Sequence, residues 1–294
     1  MKKTRHFKIA DLNISITFCE SEKNDMELIP SFLPFCSDNE PVGDLLFSLT
    51  VDDTLRPIKD AKLVRKFDTG NGDTVVYTLS DGGYQYIIRN IADKDCCLLQ
   101  ANADFSECRC ALTGNKVMRS FGLNDALMLI FAFAGCRQDA LLIHASCIAC
   151  NGYAYPFTAK SGTGKSTHTS LWMKYIEGTE LVNDDNPIIR LINGKAFLYG
   201  SPWSGKTPCY RNVKYPLGAI TKIERAPQNS IVRMAPIPAF ATILPACSSM
   251  KWDSRIYNEI CNTITSIVET IPIYTLNCLP DKEAAVICHN TISK

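Results

Sequence analysis

The sequence has almost no net charge, few histidines and no long hydrophobic run. Its 31 basic and 30 acidic side chains leave a formal charge of +1, which gives no electrostatic basis for a DNA or RNA partner. Asp11 and Asn13 interrupt the apolar core that an N-terminal signal peptide requires. The most apolar stretch, residues 126–136, is about half as long as a membrane-spanning helix. We therefore expect a cytoplasmic protein with no membrane partner.

Cysteine, by contrast, is abundant. The chain has 14 cysteines, which in a cytosolic protein are expected to be reduced thiols. Cys147 and Cys150 have zinc-like spacing, but positions three apart on a strand point to opposite faces. Four others could converge across two neighbouring strands, without the two-residue gap of a zinc ribbon: Cys96, Cys97, Cys108 and Cys110. A zinc site stays open as the alternative, and we favour small buried hydrophobic side chains.

The first third of the chain carries the signals of β structure. Runs rich in β-branched and aromatic residues predict strands at residues 14–18, 45–51, 62–67, 74–79 and 84–89. Residues 69–73 and 80–83 are rich in glycine and in asparagine or aspartate, which favour hairpin turns. We predict an antiparallel, β-rich domain over residues 1–120.

The second part, residues 121–294, mixes helical and strand patterns. A helix is predicted over residues 123–134, with Asn124 as its cap and Gly135 at its end. Two strands follow at residues 141–149 and 153–158, joined by a turn at Asn151-Gly152. A glycine-rich loop leads into the next helix, and the tail completes the domain. The remaining predicted elements are helices at 166–175, 254–270 and 281–293 and a strand at 271–276.

The glycine-rich loop matches a phosphate-binding pattern at every defined position except the first, which is Ala159. Two glycines let backbone N–H groups turn inward around phosphates, and the following helix presents its positive end. Lys165 would neutralise the β- and γ-phosphates, and Ser166 would ligate magnesium. An incidental glycine-rich turn is the alternative. The predicted nucleotide-binding residues are Ser161, Gly162, Thr163, Gly164, Lys165, Ser166 and Thr167.

Paired carboxylates follow the loop by about twenty residues, where an apolar segment ends in Asn183-Asp184-Asp185. Phosphoryl transfer requires an acidic residue that holds magnesium or takes the proton of the attacking group. We predict Asp184 and Asp185 as catalytic residues, with Asp185 and Ser166 at the metal. Which of the two is the base stays open, as does the alternative of a polar turn.

Three further residues are candidates. His144 lies in an apolar run that should neighbour the loop, where it would orient a carboxylate or a phosphate; a satisfied core histidine is the alternative. Lys206 and Arg211 lie in or just after a second glycine-rich loop, residues 198–206, and either cation could stabilise charge on a transferred phosphoryl group. Solvated charges at a hairpin end are the alternative for both.

The strings His144-Ala145-Ser146, Ala159 to Ser166 and Asn183-Asp184-Asp185, in this order, resemble the kinase domain of the HPr kinase/phosphorylase-related family. The loop is more distantly similar to that of ATP-dependent phosphoenolpyruvate carboxykinase. The resemblance covers roughly residues 123–225 and implies an α/β fold, α+β overall, with a mixed sheet, magnesium, a carboxylate base and a supporting histidine. The positions that match are His144, Lys165, Ser166, Asp184 and Asp185.

The chain departs from that family at Ala159, where glycine is usual, and in residues 200–211, where the loop that reads HPr is not recognisable. Its resemblance is to relatives that phosphorylate other hydroxyls, such as free serine or a serine on a small peptide. We predict an ATP- and magnesium-dependent serine-type kinase. A nucleotide-binding sensor without phosphotransfer is the alternative, and a homo-oligomer is compatible with the ring-like assemblies of the family.

Overall fold

A computed structural model describes residues 2–37, 39–68 and 72–294. The chain divides into two compact units, Met1–Gly135 and Cys136–Lys294. The sequence predicts a boundary after residue 120, whereas the division follows Gly135, because the helix that ends there packs on the strands of the first unit.

The described part of the first unit is built on one nine-stranded sheet. In chain order its strands are β1 (Lys3–Ile9), β2 (Leu12–Phe18), β3 (Cys36–Ser37), β4 (Leu45–Val51), β5 (Lys62–Asp68), β6 (Asp73–Thr78), β7 (Tyr84–Arg89), β8 (Asp95–Ala101) and β9 (Glu107–Leu112). Their order across the sheet is β3-β1-β2-β4-β9-β8-β7-β6-β5. The five predicted strands are present.

The sheet is mixed, so the prediction of an antiparallel domain is wrong at two junctions. Strand β4 pairs in parallel with both β2 and β9. Parallel neighbours need a long connection, and residues 19–44 supply one between β2 and β4, including two short 3-10 turns. The turn predicted at residues 80–83 joins β6 to β7, with the Leu79 N–H donating to Gly83 O at 2.9 Å. The turn predicted at 69–73 falls partly on residues 69–71, outside the described chain.

Helix α1 (Lys116–Gly135) ends where predicted but begins seven residues earlier than expected. Asn124 does not cap it, because its side chain donates to Ser120 O within the helix at 3.0 Å. Asn115 accepts from the Met118 N–H at 3.1 Å at the true start. With the following turn, residues 116–138 are long and apolar enough to cross a membrane, although 56% of the apolar window is buried inside the protein. We expected this stretch to be too short for a span.

The second unit contains two sheets and four α-helices among its described residues. Its strands are β10 (Ala140–Leu142), β11 (Ala145–Cys150), β12 (Tyr153–Thr158), β13 (Glu180–Asp185), β14 (Ile188–Ile192), β15 (Lys195–Tyr199), β16 (Lys214–Pro216), β17 (Ile220–Arg225), β18 (Ser230–Arg233) and β19 (Ile273–Cys278). Its helices are α2 (Lys165–Tyr175), α3 (Pro236–Ile243), α4 (Ser254–Thr270) and α5 (Lys282–Ile292). The sheet orders are β13-β11-β12-β17-β19-β18 and β10-β14-β15-β16.

The strand predicted at residues 141–149 is two strands that belong to different sheets. β10 pairs with β14, whereas β11 lies between β12 and β13. Between them the Ile143 N–H donates to Pro187 O at 3.1 Å and the His144 N–H to Ala246 O at 2.7 Å. His144 therefore lies in the break between the sheets and not within a strand, which leaves its side chain half-exposed beside the carboxylate pair.

The core of the second unit forms where α2 and α5 cover the larger sheet. Trp172 of α2 is fully buried and packs against Phe157 of β12, and Cys288 of α5 lies in the same cluster. This packing holds α2 against β12, and residues 159–164 join the two elements.

The described cysteines are all free thiols, ten of them buried. Burial raises the pKa of Cys136 to about 11 and that of Cys247 to about 12, so these groups stay protonated at neutral pH. No group of three or more histidine, cysteine, aspartate or glutamate side chains that could hold a metal ion lies within residues 2–37, 39–68 and 72–294.

Candidate active site

Residues 159–164 connect β12 to α2 and form the predicted loop. Gly162 and Gly164 have φ angles of +76° and +129°, which residues with a side chain rarely adopt. The loop is closed by a hydrogen bond of 3.1 Å from the Thr163 N–H to Lys160 O. Helix α2 starts at Lys165, so the unpaired N–H groups of its first turn face the same end as the loop.

Lys165 and His144 are brought together at this end of α2. The Lys165 Nζ atom lies 2.9 Å from Nε2 of His144, and His144 Nε2 lies 3.3 Å from Oδ1 of Asp185. Since a lysine ammonium only donates, Nε2 of the imidazole is the acceptor and its proton is on Nδ1. Residues that are far apart in sequence thus form one cluster of a cation, a neutral imidazole and a carboxylate.

The second carboxylate reaches α2 directly. The Ser166 hydroxyl donates to Oδ1 of Asp184 at 2.8 Å, and Asp184 is only 5% exposed. On β11, the strand that pairs with β13, the Ser146 hydroxyl is hydrogen-bonded to the Thr169 hydroxyl of α2 at 3.0 Å. Because Ser146 and Asp184 are paired across β11 and β13, the helix start is bound to two neighbouring strands. Asp184 contacts the helix and Asp185 contacts the histidine, so the pair flanks Lys165.

Burial favours the neutral form of each titratable group in the cluster. It lowers the pKa of His144, and the Lys165 cation lowers it further while Asp185 opposes the shift. Burial also lowers the pKa of Lys165, against the attraction of Asp185 and Asp184. The Asp185 pKa is raised by burial, although His144 and Lys165 pull it down. A neutral His144 beside a carboxylate of raised pKa is a suitable setting for proton transfer.

Asn183, the residue before the carboxylates, binds the second glycine-rich loop. Its fully buried amide Nδ2 donates to Trp203 O at 3.0 Å and to Ser201 Oγ at 3.2 Å. Its Oδ1 accepts from the N–H groups of Asp185 and Asn186 at 3.1 and 2.9 Å. The side chain therefore fixes the turn that follows the carboxylates and the loop that covers them. The sequence places Asn183 beside the two carboxylates, but it does not reveal that the Asn183 side chain holds this turn and loop.

Gly205 allows that loop to touch the carboxylates. Its N–H donates to Asp184 O at 2.7 Å. A Cβ at this position would lie 2.7 Å from Asp184 O and 3.3 Å from the Asp185 Cβ, so only glycine fits without displacement. The loop of residues 200–206 is consequently part of the carboxylate site.

The two predicted cations are placed differently. Lys206 is exposed and directly follows Gly205, so it lies on the loop that contacts the carboxylates. Arg211 lies elsewhere, because it binds Glu180 Oε2 at 2.8 Å and Leu181 O at 2.6 Å at the opposite end of β13. Sequence proximity to the second loop suggested a role for Arg211 that these contacts do not favour.

Magnesium was expected at Ser166 and Asp185. The hydroxyl and carboxylate oxygens of Ser166, Asp184 and Asp185 are hard ligands of the type that Mg²⁺ selects, and Mg²⁺ usually takes only one or two carboxylates and keeps phosphate oxygens and waters. The donor set fits that ion. Asp184, which contacts Ser166, is at least as well placed beside the hydroxyl as Asp185.

Arg225 is the residue near the loop that sequence reasoning missed. Its Nη2 donates to Gly162 O at 2.5 Å and its Nε to Thr163 O at 3.1 Å. The residues are separated by 63 and 62 positions, and no local pattern links them.

No family model matches the chain, and no curated protein matches it. Among solved structures, the chain is similar to the Hpr(Ser) kinase/phosphatase from Coxiella burnetii, with 10% identity and a TM-score of 0.30. That match covers 51% of this chain and 91% of the other. A similarity at this level carries no conclusion about activity, so the functional argument depends on the site itself.

Proposed function

We propose that the chain is an ATP- and magnesium-dependent kinase that transfers the γ-phosphoryl group to a serine-type hydroxyl. One observation carries the proposal: Lys165, at the start of α2 behind a glycine-rich loop, meets His144 and is flanked by Asp184 and Asp185. Three segments that are distant in sequence bring together the groups that phosphoryl transfer requires. These are an anion cradle, a cation, a metal ligand pair and a base.

The loop amides and the first turn of α2 would bind the phosphate oxygens, and Lys165 would offset their charge. Ser166 and one carboxylate would hold Mg²⁺, which when bound neutralises charge on the phosphates. Binding phosphates would draw Lys165 toward them from its contact with His144. With Lys165 displaced, Nε2 of His144 would carry the ring proton and donate to Asp185, so that the imidazole orients the carboxylate.

Asp185 is our choice for the base, because it contacts His144 and burial raises its pKa. It takes the proton as the acceptor oxygen forms its bond to phosphorus. The bond between that phosphorus and the β–γ bridging oxygen breaks, and ADP leaves with the electron pair. Asp184, which accepts from the Ser166 hydroxyl, would hold the magnesium ion. Positioning and charge stabilisation are sufficient, with no covalent intermediate.

The acceptor belongs to the same proposal: free serine, or a serine on a small peptide or protein, would lie against the loop of residues 200–206. A cytoplasmic location, where ATP is abundant, agrees with the free thiols. No nucleic acid or membrane partner is required.

The test is magnesium-dependent ATP turnover by the purified chain with free serine or a serine peptide, with mass spectrometry of the products. We expect a phosphorylated acceptor, and less than a hundredth of the turnover in Lys165→Ala and Asp185→Ala, on the order expected for loss of an electrostatic or base group. Lys174→Ala, an exposed lysine on the same helix, is the matched control. Nucleotide binding without product from any acceptor would favour the sensor function instead, and no binding would reject both.

A further inference from the structure

Strand β17 runs parallel to β12 and extends past its end. Phe157 and Thr158 of β12 pair with Thr221 and Lys222 of β17, after which β12 ends and the loop begins. β17 continues for three more residues to Arg225, supported on its other side by β19. The strand therefore carries the Arg225 side chain alongside the loop that leaves β12.

The guanidinium group donates to two consecutive loop carbonyls, those of Gly162 and Thr163. In a loop that surrounds phosphates the N–H groups point inward, and carbonyls that point away from the ligand need other partners. An arginine is suited to this task because its planar fork presents several N–H donors in fixed directions. The Gly162 carbonyl shares its peptide group with the Thr163 N–H, which donates to Lys160 O, and the Thr163 carbonyl shares its peptide group with the Gly164 N–H. The contact therefore fixes both the hydrogen bond that closes the loop and the direction of the Gly164 amide.

Arg225 makes no ion pair with a carboxylate in the described part of the chain, and its neighbour Glu224 pairs with Lys222 at 2.5 Å. The charge of Arg225 is thus not neutralised by its own strand, and it adds positive potential beside the loop. Among the described residues, no hydrogen bond or ion pair links Arg225 to the side chains of Lys165, Ser166 or the two carboxylates.

We propose that Arg225 is a positioning residue for nucleotide binding: by holding the Gly162 and Thr163 carbonyls, it keeps the loop closed and the Gly164 amide oriented toward the phosphates. This inference rests on the proposed function for its nucleotide. The loop that it holds would bind the phosphates shared by ADP and ATP, so Arg225 supports affinity for both and does not act on the transferred group.

The experiment compares the wild-type chain with Arg225→Met, Arg225→Lys and the control Arg233→Met, an exposed arginine on β18 of the same sheet. Dissociation constants are measured for MgADP and MgATP by calorimetry. We expect Arg225→Met to weaken both about tenfold, as for loss of a hydrogen bond to a charged group, with KM for ATP raised and kcat within about twofold. Arg225→Lys, which keeps the charge but loses the fork, should recover part of the affinity.

Hydrogen exchange of peptides covering residues 160–166, measured without nucleotide, is the second readout. Faster exchange in Arg225→Met, but not in Arg233→Met, is expected if the guanidinium holds the loop. Unchanged affinity for both nucleotides overturns the proposal, and so does a loss confined to ATP, which would indicate direct contact with the γ-phosphate. If the wild-type chain binds no nucleotide, the proposed function fails, while the exchange result still decides whether Arg225 holds the loop.

Discussion

The Lys165 ammonium donates to Nε2 of His144 across 2.9 Å, and this contact makes the ionisation of one residue depend on the other. Two cations at this distance repel each other, so His144 loses its proton more readily than a free histidine. Its pKa is lowered by burial and by Lys165, while Asp185 acts in the opposite direction.

Lys165→Met should therefore raise the pKa of His144. Removal of the neighbouring cation leaves burial as the only influence that lowers the His144 pKa, against the attraction of Asp185, so the pKa should rise. The measurement is an NMR titration of the imidazole resonances, of which the chain has only four, with His144→Ala used for assignment. Lys174→Met should leave the titration unchanged. An unaltered His144 curve in Lys165→Met would show that the two side chains do not interact in solution.

Gly205→Ala should reduce the proposed turnover by at least about tenfold, because a misplacement of the order of 1 Å at a reacting centre has that effect or more. The added methyl group would lie 2.7 Å from Asp184 O, so the loop or the carboxylates must move. Steady-state kinetics would measure the change. Gly178→Ala is the control, since its Cβ meets nothing within 4 Å and its φ of +72° should affect stability by only about 1 kcal/mol. Equal turnover in both variants would exclude the 200–206 loop from the site.

Asn183→Ala should destabilise the second unit by about 2–3 kcal/mol, because it leaves several buried partners without a hydrogen bond. These partners include the Trp203 carbonyl and the Ser201 hydroxyl. The three tryptophans all lie in the second unit, so urea denaturation followed by tryptophan fluorescence reports on it. Asn262→Ala, at an exposed position of α4, should leave the transition within about 0.5 kcal/mol of wild type. If Asn183→Ala lowered the free energy of unfolding by less than about 0.5 kcal/mol, the Asn183 side chain would not hold the 200–206 loop.

Asp125 of α1 should make stability fall as pH rises. Burial raises its pKa to about 7, against about 3.9 in an unfolded chain. Between these values the folded state keeps a proton that the unfolded state has released, so the free energy of unfolding decreases with increasing pH. We expect wild type to lose about 2–3 kcal/mol relative to Asp125→Asn between pH 5 and pH 8. Urea denaturation followed by circular dichroism tests this, with the exposed Asp60→Asn as control. Parallel pH profiles for wild type and Asp125→Asn would refute it.

Local patterns were sufficient where an element depends on its own residues. Alternating β-branched and aromatic residues defined β4 and β7 to the residue, and the periodic apolar face and Asp253 cap accompany α4 over the predicted range. Asn151-Gly152 joins β11 to β12 as expected. In each case the neighbours in sequence are also the neighbours in space.

Local sequence patterns were not sufficient where an element pairs with residues that are distant in sequence. Residues 141–149 read as one apolar strand, but Ile143 and His144 bond to Pro187 and Ala246, which no local pattern can reveal. The parallel pairing of β4 depends likewise on strands from other parts of the chain. For the candidate site, the sequence named His144, Lys165 and both carboxylates, and the structure brings them together; their roles stay predictions. The supports supplied by Asn183 and Arg225 are tertiary and were not predictable.

The separation of Arg225 from the loop has a consequence for synthesis of the chain. Gly162 and Arg225 are 63 residues apart, and β17, the sheet neighbour of β12, follows the loop by a similar interval. At ordinary translation rates the loop leaves the ribosome several seconds before its support, on the order of 3–12 s. A nascent chain that ends before β17 would carry the whole glycine motif without the strand that holds the loop. Competence to bind a nucleotide should therefore arise late in translation and abruptly, when β17 adds to the sheet.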